Sequence, residues 1–472
     1  MSAAQPDLRQ RHRTALDVLR RFRQEHLLAF WERLDDGQRG QLLDQIEALP
    51  LQLIERLDRE RGAPSGSAPQ PLTTVLRDGA DSPHWESLGL KLVAAGEVCC
   101  FTVAGGQGTR LGYDGPKGLF PATPCTGKPL FQLFAESILG WRRRTGASIP
   151  WFVMTSPLNH AATESFFREH SWFGLGAESV RLFMQGTIPS LDDGGKMLLS
   201  APGEIAVNPD GHGGALRALA QSGALEEMTR RGVRHISYFQ VDNPLARVID
   251  PVFLGMHAGH PGSSAEMSSK AVAKRNAAER VGVFALIDGR TAVVEYSDLS
   301  ADQTNAMDLQ GHLLFGAGSI AIHAIGVEFA KKLTAEADSF ALPFHRAHKK
   351  VPFIDERGVL VEPNQLNAWK LEAFIFDALP LTGRSLVVEV RREDEFAPIK
   401  NSRGDDSPQS SGAAQSAQFA NWLEAVGVVI PRQCDGTADC QIEISPLRAL
   451  CAADLRGKVA GLAVERGGRV TL

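Results

Sequence analysis

The chain has 472 residues, 43% of them hydrophobic and 22% charged, with a net charge of −5. Its length exceeds what one compact core holds and predicts two or three domains, and its composition excludes global disorder. The acidic balance argues against a general nucleic-acid binder but leaves an anionic small molecule open, because local charge decides that case.

The N-terminal stretch MSAAQPDLRQRHRTALDVLRRFRQEHLL lacks the apolar core of a signal peptide. It is basic and poor in acids, as transit peptides are, but its apolar positions suit a surface helix better. Leu27, Leu28, Phe30, Trp31 and Leu34, then Leu42, Leu43, Ile46, Leu49, Leu51, Ile54 and Leu57, keep helical spacing and predict a helical region. Arg61–Pro71 (RGAPSGSAPQP) reads as a linker. Regions 1–95, 96–390 and 391–472 are the expected divisions: a helical N-terminal region, a catalytic α/β domain and a small C-terminal α/β region.

From about residue 95 apolar runs alternate with helical segments. Val98–Val103 reads as a buried strand, Leu130–Trp141 as a helix face, Trp151–Met154 and His235–Val241 as further strands. This alternation predicts a parallel α/β sheet with helices on both faces. Val281–Tyr296 predicts a β-hairpin turning at Asp288-Gly289. Ser385–Val390 reads as one more strand, Asn401–Gln418 as a polar, mobile loop, and Gln441–Ser445 as a strand of the C-terminal region.

The 6 cysteines form no CxxC pair and no zinc-spaced cluster. Cys99 and Cys100 read as core; Cys434 and Cys440 flank a small loop, with free thiols expected. No window approaches the ~20 apolar residues that a membrane span needs. A soluble cytoplasmic protein is the expectation, with neither membrane nor nucleic acid as partner.

Behind the strand Val98–Val103 lies Ala104-Gly-Gly-Gln-Gly-Thr-Arg-Leu-Gly-Tyr-Asp-Gly-Pro-Lys117. The dinucleotide fingerprint fails, because Leu111 stands where its last glycine belongs. The P-loop fails too, because Gly127-Lys128 and Gly195-Lys196 lack the following Ser or Thr. Kinase motifs are absent. Glycines at 105, 106 and 108 let a ligand approach the backbone, and Arg110 and Lys117 supply two cations, a set suited to a polyphosphate at a strand's carboxyl end.

The motif GGQGTR…PK resembles the signature of sugar nucleotidyltransferases. Further words follow in family order: EHLLAFWERL (25–34), WESLGL (85–90), MQGTIPS (184–190), PDGHGG (209–214), FQVDNPL (239–245), DPVFLG (250–255), VEYSDL (294–299), FGAGSIAIH (315–323), KLEAFIFD (370–377), REDEFAPIKN (392–401) and EISPL (443–447). Nearly the whole chain thereby resembles the eukaryotic-type UDP-sugar pyrophosphorylases, most closely the UDP-N-acetylhexosamine (UDP-N-acetylglucosamine) branch. The resemblance implies a Rossmann-like, GT-A-like mixed sheet flanked by helices. It also implies a reaction: UTP and a sugar 1-phosphate give UDP-sugar and pyrophosphate, with Mg²⁺.

Residue by residue, the resemblance assigns Ala104, Gly105, Gly106 and Gly108 to uridine and phosphate binding. Arg110 and Lys117 fall on the triphosphate and leaving pyrophosphate, and Lys400, with Lys370, on the phosphates of substrate and product. Gln185 becomes the uracil-reading amide with Gly211 near the base, Asp242 the metal aspartate, Glu295 a sugar-hydroxyl acceptor, and Lys370 a substrate-phosphate lysine. Such a reaction needs no catalytic triad; its work is neutralisation and in-line positioning. Taken alone, Asp242 could be a strand-end cap, Glu295 the polar face of a hairpin strand, Lys370 an exposed helical lysine and Lys400 a loop charge.

Two places depart from the family. GNGG becomes Gly211-His212-Gly213-Gly214, and FNAGNIANH loses all three asparagines, with Ser319 at the middle one. His212 and Ser319 are therefore candidate sugar-pocket residues, and such changes can swap the sugar. N-acetylglucosamine 1-phosphate is the first expectation. Glucose or galactose 1-phosphate, broad specificity, or a non-catalytic UDP-sugar-binding homologue are the alternatives. A metal-dependent glycosyltransferase would want paired acids; Asp192-Asp193 offers a pair, but in the turn-like LDDGGK.

Overall fold

A computed structural model describes residues 7–52, 54–55, 67–335 and 342–472. The chain forms two compact units: residues 1–65, 185–217 and 333–375 make the first, and residues 66–184, 218–332 and 376–472 the second. These units cut across the three sequence regions, since segments remote in sequence complete each of them. Leu57 and residues 61–66 of the expected linker lie outside the described residues; Gln70 and Pro71 at its end pair antiparallel with Leu286 and Ala285.

In the first unit, α1 (Leu8–Arg21) and α2 (Asp36–Glu47) are separated by 3₁₀ turns at Glu25–Leu28 and Trp31–Arg33 rather than by continuous helix. Asp35 starts α2 with a capping box, accepting from the N–H of Gln38 while the Gln38 side chain accepts from the N–H of Asp35. The helices bury Leu19, Leu42, Leu43 and Ile46 against Ile188, Leu191, Ile205 and Leu371. A three-stranded sheet orders Phe344–Lys349, Ala368–Ala373 and Leu191–Asp192, all antiparallel. KLEAFIFD therefore begins on a strand, and Lys370 is not the helical lysine its sequence alone suggests: it and Leu371 must face opposite sides, with Leu371 fully buried.

The second unit is built on a mixed sheet of β1 (Val75–Leu76), β2 (Val98–Val103), β3 (Trp151–Thr155), β4 (Val180–Met184), β5 (His235–Gln240), β6 (Met267–Ala273), β7 (Ala317–Gly326) and β8 (Val387–Glu389), in the order β1-β8-β6-β7-β5-β2-β3-β4. Along this path β7 alone runs antiparallel to its neighbours, so the sheet is mixed rather than parallel. Helices flank it. Leu130–Thr145 (α4) packs Phe131, Phe134 and Ile138 into the same core as Val98, Cys100, Trp151 and Val153. Ser82–Ala94 (α3) and Pro251–Gly259 (α5) touch through bare backbone. A Cβ on Gly89 would lie 1.8 Å from the Pro251 oxygen, and one on Gly255 1.9 Å from that of Trp85. The hairpin Val283–Ile287/Arg290–Val294 turns at Asp288 and Gly289 with both φ positive, the type I′ geometry.

The segment Asn401–Gln418 is loop only as far as residue 407, and from Pro408 onward it is helix. Ser407 caps α6 (Pro408–Glu424) with a capping box, and Ser411, Gln415, Ser416 and Gln418 are buried. Cys440–Glu443 forms a parallel pair with Gly468–Thr471. All six cysteines are free, and no helix among the described residues is long and apolar enough to cross a membrane.

Candidate active site

Parallel pairing puts the carboxyl ends of β5, β2 and β3 side by side, with Gln240 opposite Val103 and Val103 opposite Met154. Ligand-binding loops gather at such edges. The glycine loop leaves β2 there. Ala104 N–H donates to Met154 O (2.7 Å), Lys117 N–H to Gly106 O (3.0 Å) and Gly108 N–H to Gly115 O (2.9 Å), which closes the loop on itself. Gly108 is glycine because a Cβ would stand 2.8 Å from the Tyr113 ring, whereas Gly106 faces open space. Among the described residues the N–H groups of Gly105 and Gly106 have no acceptor, so the loop offers bare donors.

Asn159, buried after β3, donates to Ala104 O (2.9 Å) and Gly106 O (3.4 Å) and accepts from Ser156 N–H (2.8 Å). It fixes the loop, yet nothing in the surrounding Ser-Pro-Leu-Asn marks it in the sequence. Arg110 is exposed in a 3₁₀ turn and makes no ion pair among the described residues. Lys117 reaches across to Asp242, with Nζ 3.4 Å from Oδ2; both side chains are mostly buried, at 17% and 13% exposure.

Asp242 lies two residues beyond β5. Its carbonyl accepts from Ile399 N–H (2.8 Å), and the Asn243 side chain donates to Glu395 O (2.7 Å) and accepts from Ala397 N–H (3.1 Å). This ladder carries Lys400, an exposed side chain above the Phe396 ring that borders a cavity of about 400 Å³ lined by both bases and acids, Arg275 and Arg280 with Glu279, Asp405 and Asp406. Glu395, on the same ladder, also belongs to a buried ion cluster: Lys270 contacts Asp250 (2.6 Å) and Glu395 (2.5 Å), and Arg77 pairs with Asp250 (2.8 Å). Burial alone would raise the Asp250 carboxyl, but Lys270 and Arg77 outweigh it and hold that group well below the ordinary carboxylate value.

Glu295 and Ser319 both lie beside Gly282. Ser319 N–H donates to Gly282 O (2.8 Å), and the Glu295 carboxylate stands 3.6 Å from where a Gly282 Cβ would be.

The first unit holds the remaining candidates. Gln185, half-buried, faces Asp210 and Gly211. Gly211 needs its positive φ of 83°, and a Cβ there would lie 2.4 Å from Ala373 O. His212 accepts from Ile375 N–H at Nδ1 (3.2 Å) and stacks on Phe374. Burial, aided by His345, pushes its pKa down to about 4, so the ring is neutral and carries its proton on Nε2. Lys370 is half-buried on the strand that ends at Ala373. Burial pushes the Asp210 carboxyl up to about 6; the family words contain this residue, but composition gave it no role.

Among the described residues no group of three or more His, Cys, Asp or Glu is set to hold a metal. Asp242 is a single strand-end carboxylate beside a lysine. That donor set suits a hard cation whose other ligands are water and phosphate oxygens.

The family model described as UTP--glucose-1-phosphate uridylyltransferase matches residues 88–405. The chain is 36% identical to the human UDP-N-acetylhexosamine pyrophosphorylase-like protein 1, covering 91% of each. It is 34% identical to the UDP-N-acetylglucosamine pyrophosphorylase of Saccharomyces cerevisiae, covering 94% of this chain and 98% of that one. The crystal structure of the Trypanosoma brucei uridine diphosphate N-acetylglucosamine pyrophosphorylase, in complex with an inhibitor, superposes with a TM-score of 0.82 at 26% identity, covering 98% of both chains.

Proposed function

The chain belongs to the UTP--glucose-1-phosphate uridylyltransferase family, and from that premise we propose that it joins UTP to N-acetylglucosamine 1-phosphate, releasing UDP-N-acetylglucosamine and pyrophosphate. It is a nucleotidyltransferase. The observation that carries the reading is the strand-end cluster: bare Gly105 and Gly106 N–H groups, Lys117 against Asp242, and Lys400 hung from Asp242 by the Ile399 hydrogen bond. Yeast and trypanosome relatives that bear the N-acetylglucosamine name support the choice of sugar.

In the reaction a phosphate oxygen of the sugar 1-phosphate attacks the α-phosphorus of UTP. The bond from that phosphorus to the β-phosphate bridging oxygen breaks in line, and its electrons leave with pyrophosphate. The glycine-loop N–H groups receive the phosphates. Arg110, as a planar fork, and Lys117 and Lys400, as point charges, offset the charge of the two meeting anions and of the leaving group. Lys370 holds the sugar phosphate. Asp242 would hold Mg²⁺, which when bound neutralises phosphate charge. Gln185 reads uracil next to Gly211. Glu295, Ser319 and the His212 Nε2–H hold sugar hydroxyl or acetamido groups. The cytosol is the expected compartment.

A panel of N-acetylglucosamine, N-acetylgalactosamine, glucose and galactose 1-phosphates, each with UTP, TTP and ATP, tests the reading by pyrophosphate release. N-acetylglucosamine 1-phosphate with UTP should give the highest kcat/KM. A higher value with glucose or galactose 1-phosphate overturns the sugar. No release from any pair, with UTP still bound, overturns the transfer reaction.

A further inference from the structure

The Gln185 amide faces two oxygens that can only accept. Its Nε2 lies 3.5 Å from Asp210 Oδ1 and 3.5 Å from Gly211 O. Turning the amide over would set its oxygen lone pairs against a carboxylate and a carbonyl, so the NH₂ group must point inward and Oε1 outward.

Asp210 cannot retreat from this contact. It is 2% exposed. Its N–H donates to Gly186 O (3.2 Å) and its carbonyl accepts from Ala373 N–H (2.8 Å). Its carboxylate sits in a slot left by two glycines. A Cβ on Gly186 would stand 2.5 Å from Oδ2, and one on Gly214 would stand 2.1 Å from Oδ1. The absence of a side chain at both positions is thus what admits the carboxylate.

We propose that Asp210 is a positioning residue that locks the Gln185 amide with its carbonyl oxygen outward, selecting a pyrimidine nucleotide that bears an N3–H and refusing cytidine nucleotides. This rests on the reading that Gln185 meets the base. Uracil presents an N3–H donor, which Oε1 accepts. Cytosine presents a bare N3 acceptor at the same point, and two acceptors then face one another with no proton between them. Sites that hydrogen-bond one partner and leave a polar group unpaired with another discriminate strongly. The Asp210 carboxyl titrates near 6, so at pH 8 it is the ionised acceptor that the lock needs.

The test compares kcat/KM for UTP and CTP at pH 8 in the full chain, with the same sugar 1-phosphate. The amide introduced by Asp210→Asn could turn either its NH₂ or its oxygen toward Gln185, leaving Gly211 O alone to oppose a flip of the Gln185 amide. Asp210→Asn should therefore lower the UTP-to-CTP ratio by roughly tenfold or more, mainly through a raised KM for UTP with kcat much less affected. Gly186→Ala, whose Cβ pushes the Asp210 carboxylate aside, should lower the ratio in the same direction. Gln185→Ala is the control on the underlying reading. If it abolishes the preference for UTP while both other variants keep the wild-type ratio, the lock is overturned and base reading by Gln185 stands. If Gln185→Ala itself leaves the ratio unchanged, the base reading fails.

Discussion

The carbonyl of Asp242 accepts a 2.8 Å hydrogen bond from the N–H of Ile399, the residue that precedes Lys400. A strand-end carboxylate and a lysine more than 150 residues further along are therefore set by one backbone contact, and Asn243 reinforces it by bridging Glu395 and Ala397. Lys400→Ala removes an exposed charge and little packing. Turnover should fall about 100- to 1,000-fold with the thermal midpoint unchanged, the scale seen when one charge-stabilising donor is lost. Asn243→Ala should lower both: about 1–3 kcal/mol of stability in urea, because a buried N–H and a carbonyl lose their partner, and turnover with it.

Lys117 and Asp242 neutralise each other at 3.4 Å. If Asp242 holds Mg²⁺, Asp242→Asn should reduce turnover about 100-fold and shift the Mg²⁺ concentration for half-maximal rate upward. Pyrophosphate release titrated against Mg²⁺ reads this. An unchanged Mg²⁺ midpoint would remove Asp242 from the metal site.

Lys270 is fully buried between two carboxylates. Lys270→Met nearly keeps the volume and strands charge, so it should cost about 3–5 kcal/mol by urea unfolding at neutral pH. The Asp250 carboxyl is depressed in the wild type. Its stabilising share is present above the ordinary carboxylate pKa and lost as pH falls through the depressed value. Lys270→Met removes part of that depression, and the midpoint of acid unfolding should move to higher pH.

Asp210 behaves oppositely. Its folded pKa is raised from 3.8 to about 6, so the fold favours the protonated form, and stability is lost as pH rises from the unfolded value through about 6. Asp210→Asn has no such loss. The stability of the variant relative to wild type should grow by about 2 kcal/mol between pH 4 and pH 8. Urea midpoints at the two pH values, compared at equal slope, measure it.

Local grammar made much of this fold legible. Val98–Val103 is a buried run, apolar except for Thr102, and is a strand over those residues; Asp288-Gly289 is a type I′ pair and turns a hairpin. The start of α6 was not legible, because up to Gln418 it buries polar side chains, and its apolar Phe419, Ala420 and Leu423 come only in the last turns. Ser411 donates to Ala397 O, Gln415 to Ala122 O, Ser416 to Ile442 O and Gln418 to Asp394 O. Hydrogen bonds satisfy that face, so no hydrophobic period advertises it. Lys370 misled for a related reason: its strand gains partners from Phe344–Lys349 and Leu191–Asp192, and such pairing leaves no trace in the local sequence.

Local sequence specifies the apolar strands, the tight hairpin turn and, through its ordered words, the family and the residue types that meet phosphate. Which of them stand together depends on the closed chain. Parallel strands β5, β2 and β3 carry Asp242, the glycine loop and Asn159 to one edge, and a slot between Gly186 and Gly214 holds Asp210 against Gln185. Those contacts join residues tens to hundreds of positions apart. Their energies depend on burial and on which acceptor faces which donor, quantities that arise only when the chain has closed on itself.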